Sequence, residues 1–137
     1  MHDTSVLTIE TPGKSLVEFT REAASWVNES GVGQGLLTLF CRHTSASLLI
    51  QENAASEVQD DLLAHFERLA PESPDYAHDS EGPDDMPAHL KAAMTQTHLA
   101  IPIIDRRLAL GTWQGIYLFE HRRRPHRREV VLHLAGD

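Results

Sequence analysis

Leu108-Ala109-Leu110-Gly111-Thr112-Trp113-Gln114-Gly115-Ile116-Tyr117-Leu118-Phe119-Glu120-His121 reads as a turn followed by a buried strand. Side chains alternate between the two faces of a strand. One face therefore carries Trp113, Gly115, Tyr117, Phe119 and His121, and the other Gln114, Ile116, Leu118 and Glu120. Both faces are largely apolar, which predicts a strand covered on both sides. Gln114 and Glu120 share a nearly dry face at a spacing of roughly 20 Å along extended chain. A buried acid needs a partner or must take up a proton. The alternative is an edge position where Glu120 meets solvent or a neighbouring subunit.

Further strands are expected on either side of this one. His98–Ile104 precedes it through a turn at 105–107, and Glu129–Leu134 follows a basic turn at Arg122–Arg128. Leu36–His43 and Ser45–Gln51 are two more apolar strands. Ser5–Thr11 is another, and Pro12-Gly13 predicts a hairpin turn that returns through Lys14–Phe19. Thr20 is placed to cap a helix to about Glu29, with Ala23, Ala24 and Val27 inward. Ser56 and Gln59 have capping-box spacing ahead of a helix that carries Val58, Leu62, Phe66 and Leu69 on one face. Pro71–Asp85 is an acidic, proline-containing loop, of a length that often serves function. Pro87 suits the first turn of a third helix, to about Gln96, with Leu90 and Met94 facing the core. Strands and about three helices without a βαβ rhythm predict an α+β fold.

The 137 residues fit one domain, 1–137. A net charge of −8 argues against a nucleic-acid partner. No run reaches the ~18–20 apolar residues of a membrane span. Met1-His2-Asp3-Thr4 does not read as an export signal, so a cytoplasmic location is expected. The single Cys41 lies in an apolar strand and is read as packing. Nine histidines are many for this length and favour a metal or proton-transfer site.

Several groups of residues carry candidate chemistry. His43-Thr44-Ser45-Ala46-Ser47 offers an imidazole and hydroxyls at a bend between strands, suited to holding phosphate oxygens. Glu52 and, one helical stretch later, Asp61 offer carboxylates that could converge on Mg²⁺, which prefers oxygen. His43, His78 and His89 form a candidate metal set favouring Zn²⁺ or a similar ion, although their spacing matches no zinc motif. The turn Arg122–Arg128 holds five of the twelve basic residues. Arg122–Arg124 read as a solvated hairpin tip that blocks edge pairing, while one of Arg127 and Arg128 is expected to point inward. No phosphate-binding loop, dinucleotide fingerprint or nucleophile elbow occurs.

Four strings in order are similar to the YjbQ family: His43–Ser47, Gln51-Glu52-Asn53-Ala54, Glu81-Gly82-Pro83-Asp84-Asp85-Met86-Pro87-Ala88-His89-Leu90-Lys91, and Leu108–Glu120. The resemblance spans roughly residues 5 to 135. It implies an α+β sandwich of mixed or antiparallel sheets, a homotrimer, and a polar pocket near the subunit contacts. It also implies recurrent polar positions at His43, Thr44, Glu52, Asn53, Asp61, His78, Glu81, His89, Gln114 and Glu120, with a basic one at Arg127 or Arg128. The turn before Leu108 departs from the pattern, because Arg106-Arg107 stands where a glycine is usual.

The activity the resemblance implies is thiamine-phosphate synthesis, joining a pyrimidine diphosphate to a thiazole phosphate with loss of pyrophosphate. On that reading His43, Glu52, Asp61, His89 and Glu120 are catalytic, with Glu52, Asp61 and Glu120 the candidate ligands of Mg²⁺. Thr44, Ser45, Asn53, Gln114, Arg127 and Arg128 hold substrate, and a divalent metal, Mg²⁺ or Zn²⁺, assists. The dedicated fold for this reaction is a barrel of ~200–250 residues, so a chain this short would be an unrelated scaffold. The alternatives are a metal-dependent hydrolase or other phosphate-handling enzyme using the same residues, and a non-catalytic trimer that binds a small phosphorylated metabolite.

Overall fold

The computed structural model describes residues 1–137, as eight strands and three helices. In chain order these are β1 (His2–Thr11), β2 (Ser15–Glu18), α1 (Thr20–Ser30), β3 (Gln34–Cys41), β4 (Ala46–Glu52), α2 (Ser56–Leu69), α3 (Asp85–Met94), β5 (His98–Ile104), β6 (Arg107–Leu108), β7 (Gln114–Glu120) and β8 (His126–Gly136). They form a five-stranded sheet, β1-β8-β3-β5-β6, and a three-stranded sheet, β2-β7-β4. Every pairing between strands is antiparallel. The architecture is the expected α+β sandwich.

Within the stretch Leu108 to His121, Gln114 to Glu120 forms the centre of the smaller sheet, while Leu108 ends β6 of the larger one. Gly115 to His121 are all buried. Ile116 and Leu118 join the main core, opposite Leu37, Leu39, Leu132 and Leu134 of the larger sheet. Tyr117 and Phe119 point the other way, toward α2, where the Gln59 amide donates to the Tyr117 hydroxyl at 2.9 Å and Phe66 meets Phe119 edge to face. Strand β7 is thus covered on both sides. The inner face of β5 shows the alternation plainly: Leu99, Ile101 and Ile103 are buried, while Ala100, Pro102 and Ile104 are exposed.

Four local expectations are corrected. Pro12-Gly13 does not close a hairpin, because β1 pairs with β8 and β2 with β7, so the chain crosses between sheets there. Gly13 makes the crossing with φ 126°, and a Cβ would lie 2.5 Å from the Arg123 carbonyl oxygen. Thr20 does not cap α1; its hydroxyl donates to Glu18 and accepts from the Ile116 amide. Ser56 makes no cap either. Glu52 takes that role by accepting the Ala54 and Ala55 amides at 3.0 Å. On α3 the buried face is Asp85, Pro87, Ala88 and Lys91 rather than Leu90 and Met94. Lys91 reaches Glu67 on α2 with its ammonium group, which satisfies the buried charge and sets the helix rotation.

Candidate functional site

Helix α3 begins at Asp85, and His89 follows four residues later on the same face. The loop before it brings His78 and Glu81 alongside. One ligand atom from each of His78, Glu81, Asp85 and His89 lies within 4.8 Å of every other. Asp85 Oδ2 is the centre: His78 Nε2 stands 2.9 Å and His89 Nε2 3.0 Å from it. Glu81 Oε2 is 3.4 Å from His78 Nε2. Separations of this size are those of neighbouring ligands around one ion with bonds of about 2.1 Å.

The protons of His89 can be assigned from its partners. Its Nδ1 lies 2.9 Å from the Thr44 carbonyl oxygen, which can only accept, so Nδ1 carries a proton. In the neutral ring Nε2 is then a lone pair aimed at a carboxylate oxygen. Two acceptors at 3.0 Å need a cation between them, either a second proton or a metal ion. A histidine held by a carbonyl on one nitrogen and free to ligate with the other has the usual arrangement of a metal-bound imidazole.

Arg122 closes the carboxylate side of the cluster. Its Nη1 donates to Asp85 Oδ1 at 2.6 Å, its Nε to Asp84 Oδ2 at 3.0 Å, and its Nη2 to the Glu81 carbonyl at 3.0 Å. Burial, the largest single effect, pushes both Asp84 and Asp85 up, but the lowering effects together outweigh it. For Asp84 the Arg122 guanidinium and the Arg123 amide hold the carboxyl down at about 2. For Asp85 the His78 hydrogen bond and the His89 and Arg122 charges hold it below the usual range. Hydrogen bonding to Asp85 raises His78 instead.

Two cavities flank this cluster. One, of about 480 Å³, is lined by His43, Thr44, His89, Ala92, Ala93 and Thr97. The other, of about 520 Å³, is lined by Glu81 to Asp84, Arg122 to Arg124 and His126. In the second, Arg123 is paired with Glu72, while Arg124 has no carboxylate within ion-pair distance.

The sequence-derived residues are partly gathered here. His78 and His89 belong to the cluster, and His43 and Thr44 share a cavity with His89. His43 is not a member of the metal-ligand group, which corrects the set His43, His78, His89. Its Nε2 already accepts the Glu129 amide at 2.7 Å, and burial and the Arg128 charge push its pKa down. Glu120 is fully buried, held by Arg128, by the Thr11 hydroxyl at 2.7 Å and by the His121 and Arg122 amides. Its pKa is pushed up by burial but pulled down further by these donors. Ser45 is the other partner of Arg128, through its hydroxyl at 2.9 Å.

The remaining candidates lie elsewhere. Glu52 and Gln114 pair at the opposite end of the β4–β7 ladder from Glu120. Asn53 donates to Glu18 there, and Gln114 accepts the Gly111 amide. Asp61 is exposed on α2. Glu52, Asp61 and Glu120 therefore do not form a common site. Arg128 is the inward arginine; Arg127 is solvated near Glu10. Arg122 is no solvated tip, which corrects that expectation.

Sequence reasoning missed Glu81 and Asp85 as ligands and Arg122 as their clasp. The helical spacing of Asp85 and His89 and the short step from His78 to Glu81 were the available signals.

The residues match the family model described as "UPF0047 protein YjbQ-like" over 5–137. The chain belongs to the YjbQ-like UPF0047 family. A UPF0047 protein of Synechocystis is 53% identical over 133 residues, 96% of this chain and 90% of that protein. The UPF0047 protein YjbQ of Escherichia coli O157:H7 is 44% identical over 106 residues, 77% of each. The crystal structure of an uncharacterised YjbQ/UPF0047 protein from Clostridium acetobutylicum superposes with a TM-score of 0.88 at 32% identity, covering 96% of this chain and 99% of that one. A conserved hypothetical protein from Thermus thermophilus gives 0.83 at 34% identity, covering 93% and 97%. None of these descriptions names an activity.

Proposed function

We propose that this YjbQ-like protein is a metal-dependent enzyme acting on a small phosphorylated metabolite. The ion would sit among His78, Glu81, Asp85 and His89. The observation that carries the reading is the Nε2 of His89 facing Asp85 Oδ2 while its Nδ1 is committed to the Thr44 carbonyl. Two imidazoles with two carboxylates suit Zn²⁺ or a similar transition metal better than Mg²⁺. A bound ion would polarise a phosphoryl or carbonyl oxygen, or a water molecule. His89 borders the His43–Thr44 cavity, so a substrate there would lie beside a ligand of the ion. Arg124, unpaired in the neighbouring cavity, supports an anionic substrate group.

Thiamine-phosphate synthesis falls within this class of chemistry, since its leaving group is an anion that a cation stabilises. The three carboxylates expected to hold Mg²⁺ for it are apart, so the histidine–carboxylate cluster alone supports a metal here.

The test is metal analysis of protein purified without a histidine tag, followed by turnover assays on phosphorylated substrates. One tightly held zinc per chain, lost in His89→Ala and Asp85→Asn, together with turnover that a chelator abolishes, is the expected result. A metal-free protein with Mg²⁺-dependent synthesis of thiamine phosphate would favour the narrower synthase reading. Absence of turnover, with one phosphorylated ligand raising thermal stability, would point to a non-catalytic binder.

A further inference from the structure

Arg122 sits in the turn after β7, far in sequence from the cluster it touches, and uses its whole guanidinium on the cluster's support. Asp85 has two oxygens with separate duties. Oδ1 accepts from Arg122 Nη1 at 2.6 Å, and Oδ2 faces both imidazoles. The fork also holds Asp84 through Nε and the Glu81 carbonyl through Nη2. Three points on the loop and on the start of α3 are thereby fixed to one planar group. We propose that Arg122 is a positioning residue for the metal cluster, orienting Asp85 so that Oδ2 is presented to the ion and holding the Glu81 backbone in reach.

The inference rests on the metal reading above, and goes beyond it by assigning a role to a residue that touches no ion. The chemistry favours a fork over a point charge. An arginine delivers parallel, planar donors to two acceptors at once, whereas a lysine ammonium brings charge without that geometry. Loss of such an outer partner commonly costs about 10–100-fold in metal affinity.

The experiment measures Zn²⁺ affinity by chelator competition, and Co²⁺ binding by its visible spectrum, in the full chain and in Arg122→Met, Arg122→Lys and Arg123→Ala. The Co²⁺ spectrum reports the number and arrangement of ligands, which a merely structural role would leave unchanged. Arg122→Met is expected to bind Zn²⁺ about 10–100-fold more weakly and to shift the Co²⁺ bands. Arg122→Lys, which keeps the charge but loses the fork, should still show weakened affinity and altered bands. Arg123→Ala should match the parent, because Arg123 pairs with Glu72 outside the cluster. Parental affinity and spectrum in Arg122→Lys would overturn the inference, as would the same result in Arg122→Met. Failure of the parent chain to bind either ion would sink the metal reading itself, and the role of Arg122 with it.

Discussion

Glu120 and Arg128 come from different sheets and meet in the dry space between them, with Arg128 Nε 2.8 Å from Glu120 Oε1. Glu120 ends the centre strand of the small sheet, and Arg128 lies near the start of β8 in the large one. Their side chains are 0% and 6% exposed. The pair ties the two layers together at one end of the core. Removing one partner leaves the other charge buried, which costs about 3–5 kcal/mol. Glu120→Ala and Arg128→Met are each expected to lose stability on that scale in urea denaturation. Replacing both, Glu120→Leu with Arg128→Met, should recover most of the loss. A loss below about 1 kcal/mol in both single variants, the scale of a surface pair, would contradict this structural role. Activity lost in Glu120→Ala would then be traced to folding only if stability falls with it.

Much of the sandwich is legible in the sequence because burial writes itself into period-two alternation. His98 to Ile104 shows this, and so do the aliphatic positions of β8, while Gly115 to Glu120 reads as the unbroken apolar run of a strand buried on both faces. Pairing partners are less visible. Pro12-Gly13 carries a turn signal, but nothing local says that the two arms go to different sheets. The two expected caps, Thr20 and Ser56, have suitable hydroxyls, yet the Ile116 amide from far along the chain engages Thr20, and Glu52, just ahead of Ser56, takes the amides before α2. The histidines of the site are visible as chemistry. Their grouping with Asp85 depends on how the acidic loop packs, and the clasp by Arg122 depends on the docking of a turn thirty-seven residues away. Long-range electrostatic pairing leaves no period to read.

His121 predicts an acid sensitivity with a definite sign. It is 1% exposed, its Nε2 lies 2.9 Å from the Ser47 hydroxyl, and its Nδ1 has no partner. Burial, and then the Lys91 charge, lower its pKa from 6.5 to about 3, and Glu120, Arg128 and Glu67 act on it more weakly. The folded state therefore keeps the ring neutral where the unfolded chain protonates it. This contribution to stability is complete above pH 6.5 and erodes as pH falls toward 3, by roughly 1.4 kcal/mol per pH unit. The raised pKa of His78 works in the opposite direction, from an exposed position. Stability measured by denaturation between about pH 7 and pH 4 should fall steeply in the parent and less steeply in His121→Gln. Parallel slopes would show that another group carries the dependence.

The turn joining β5 to β6 is made without glycine. Asp105 and Arg106 have φ of 51° and 68°, between the paired Ile104 and Arg107. Two left-handed residues give the hairpin twist that adjoining strands need, and the second is usually glycine. A side chain there costs roughly 1–2 kcal/mol in conformational strain. Arg106→Gly relieves the strain but frees the unfolded chain, so a net gain of about 0.5–1 kcal/mol is expected. The hydrogen bond from the Arg106 amide to the Gly33 carbonyl survives the change. A melting temperature higher by about 2–4 °C is the expected reading, and a lower one would mean that the arginine side chain, with its long contact to the Asn28 carbonyl, outweighs the strain.

The outer face of the large sheet bears on assembly. Val6 pairs with Val131, and Val131 with Phe40; Leu36 lies beside both Ala135 and Pro102. Val6, Leu36, Phe40 and Ile104 are each between 43% and 50% exposed. They lie on the side of the sheet away from the core, in two apolar rows, Val6–Val131–Phe40 and Ala135–Leu36–Pro102, with Thr38 and His133 between them. Such a surface on an isolated chain is unusual unless another protein covers it. The homotrimer implied by the family resemblance would supply that cover with further copies of the same chain. Phe40→Glu places a charge in the middle of the face without touching the core, so it should leave the monomer's own stability within about 0.5 kcal/mol. Light scattering coupled to size exclusion should then give three chain masses for the parent and one for the variant. A parent that elutes as a single chain would leave the face uncovered and remove self-association from the account. A trimer that survives Phe40→Glu would place the subunit contacts elsewhere, with exposed Trp113 at the far end of β7 as the next anchor to replace.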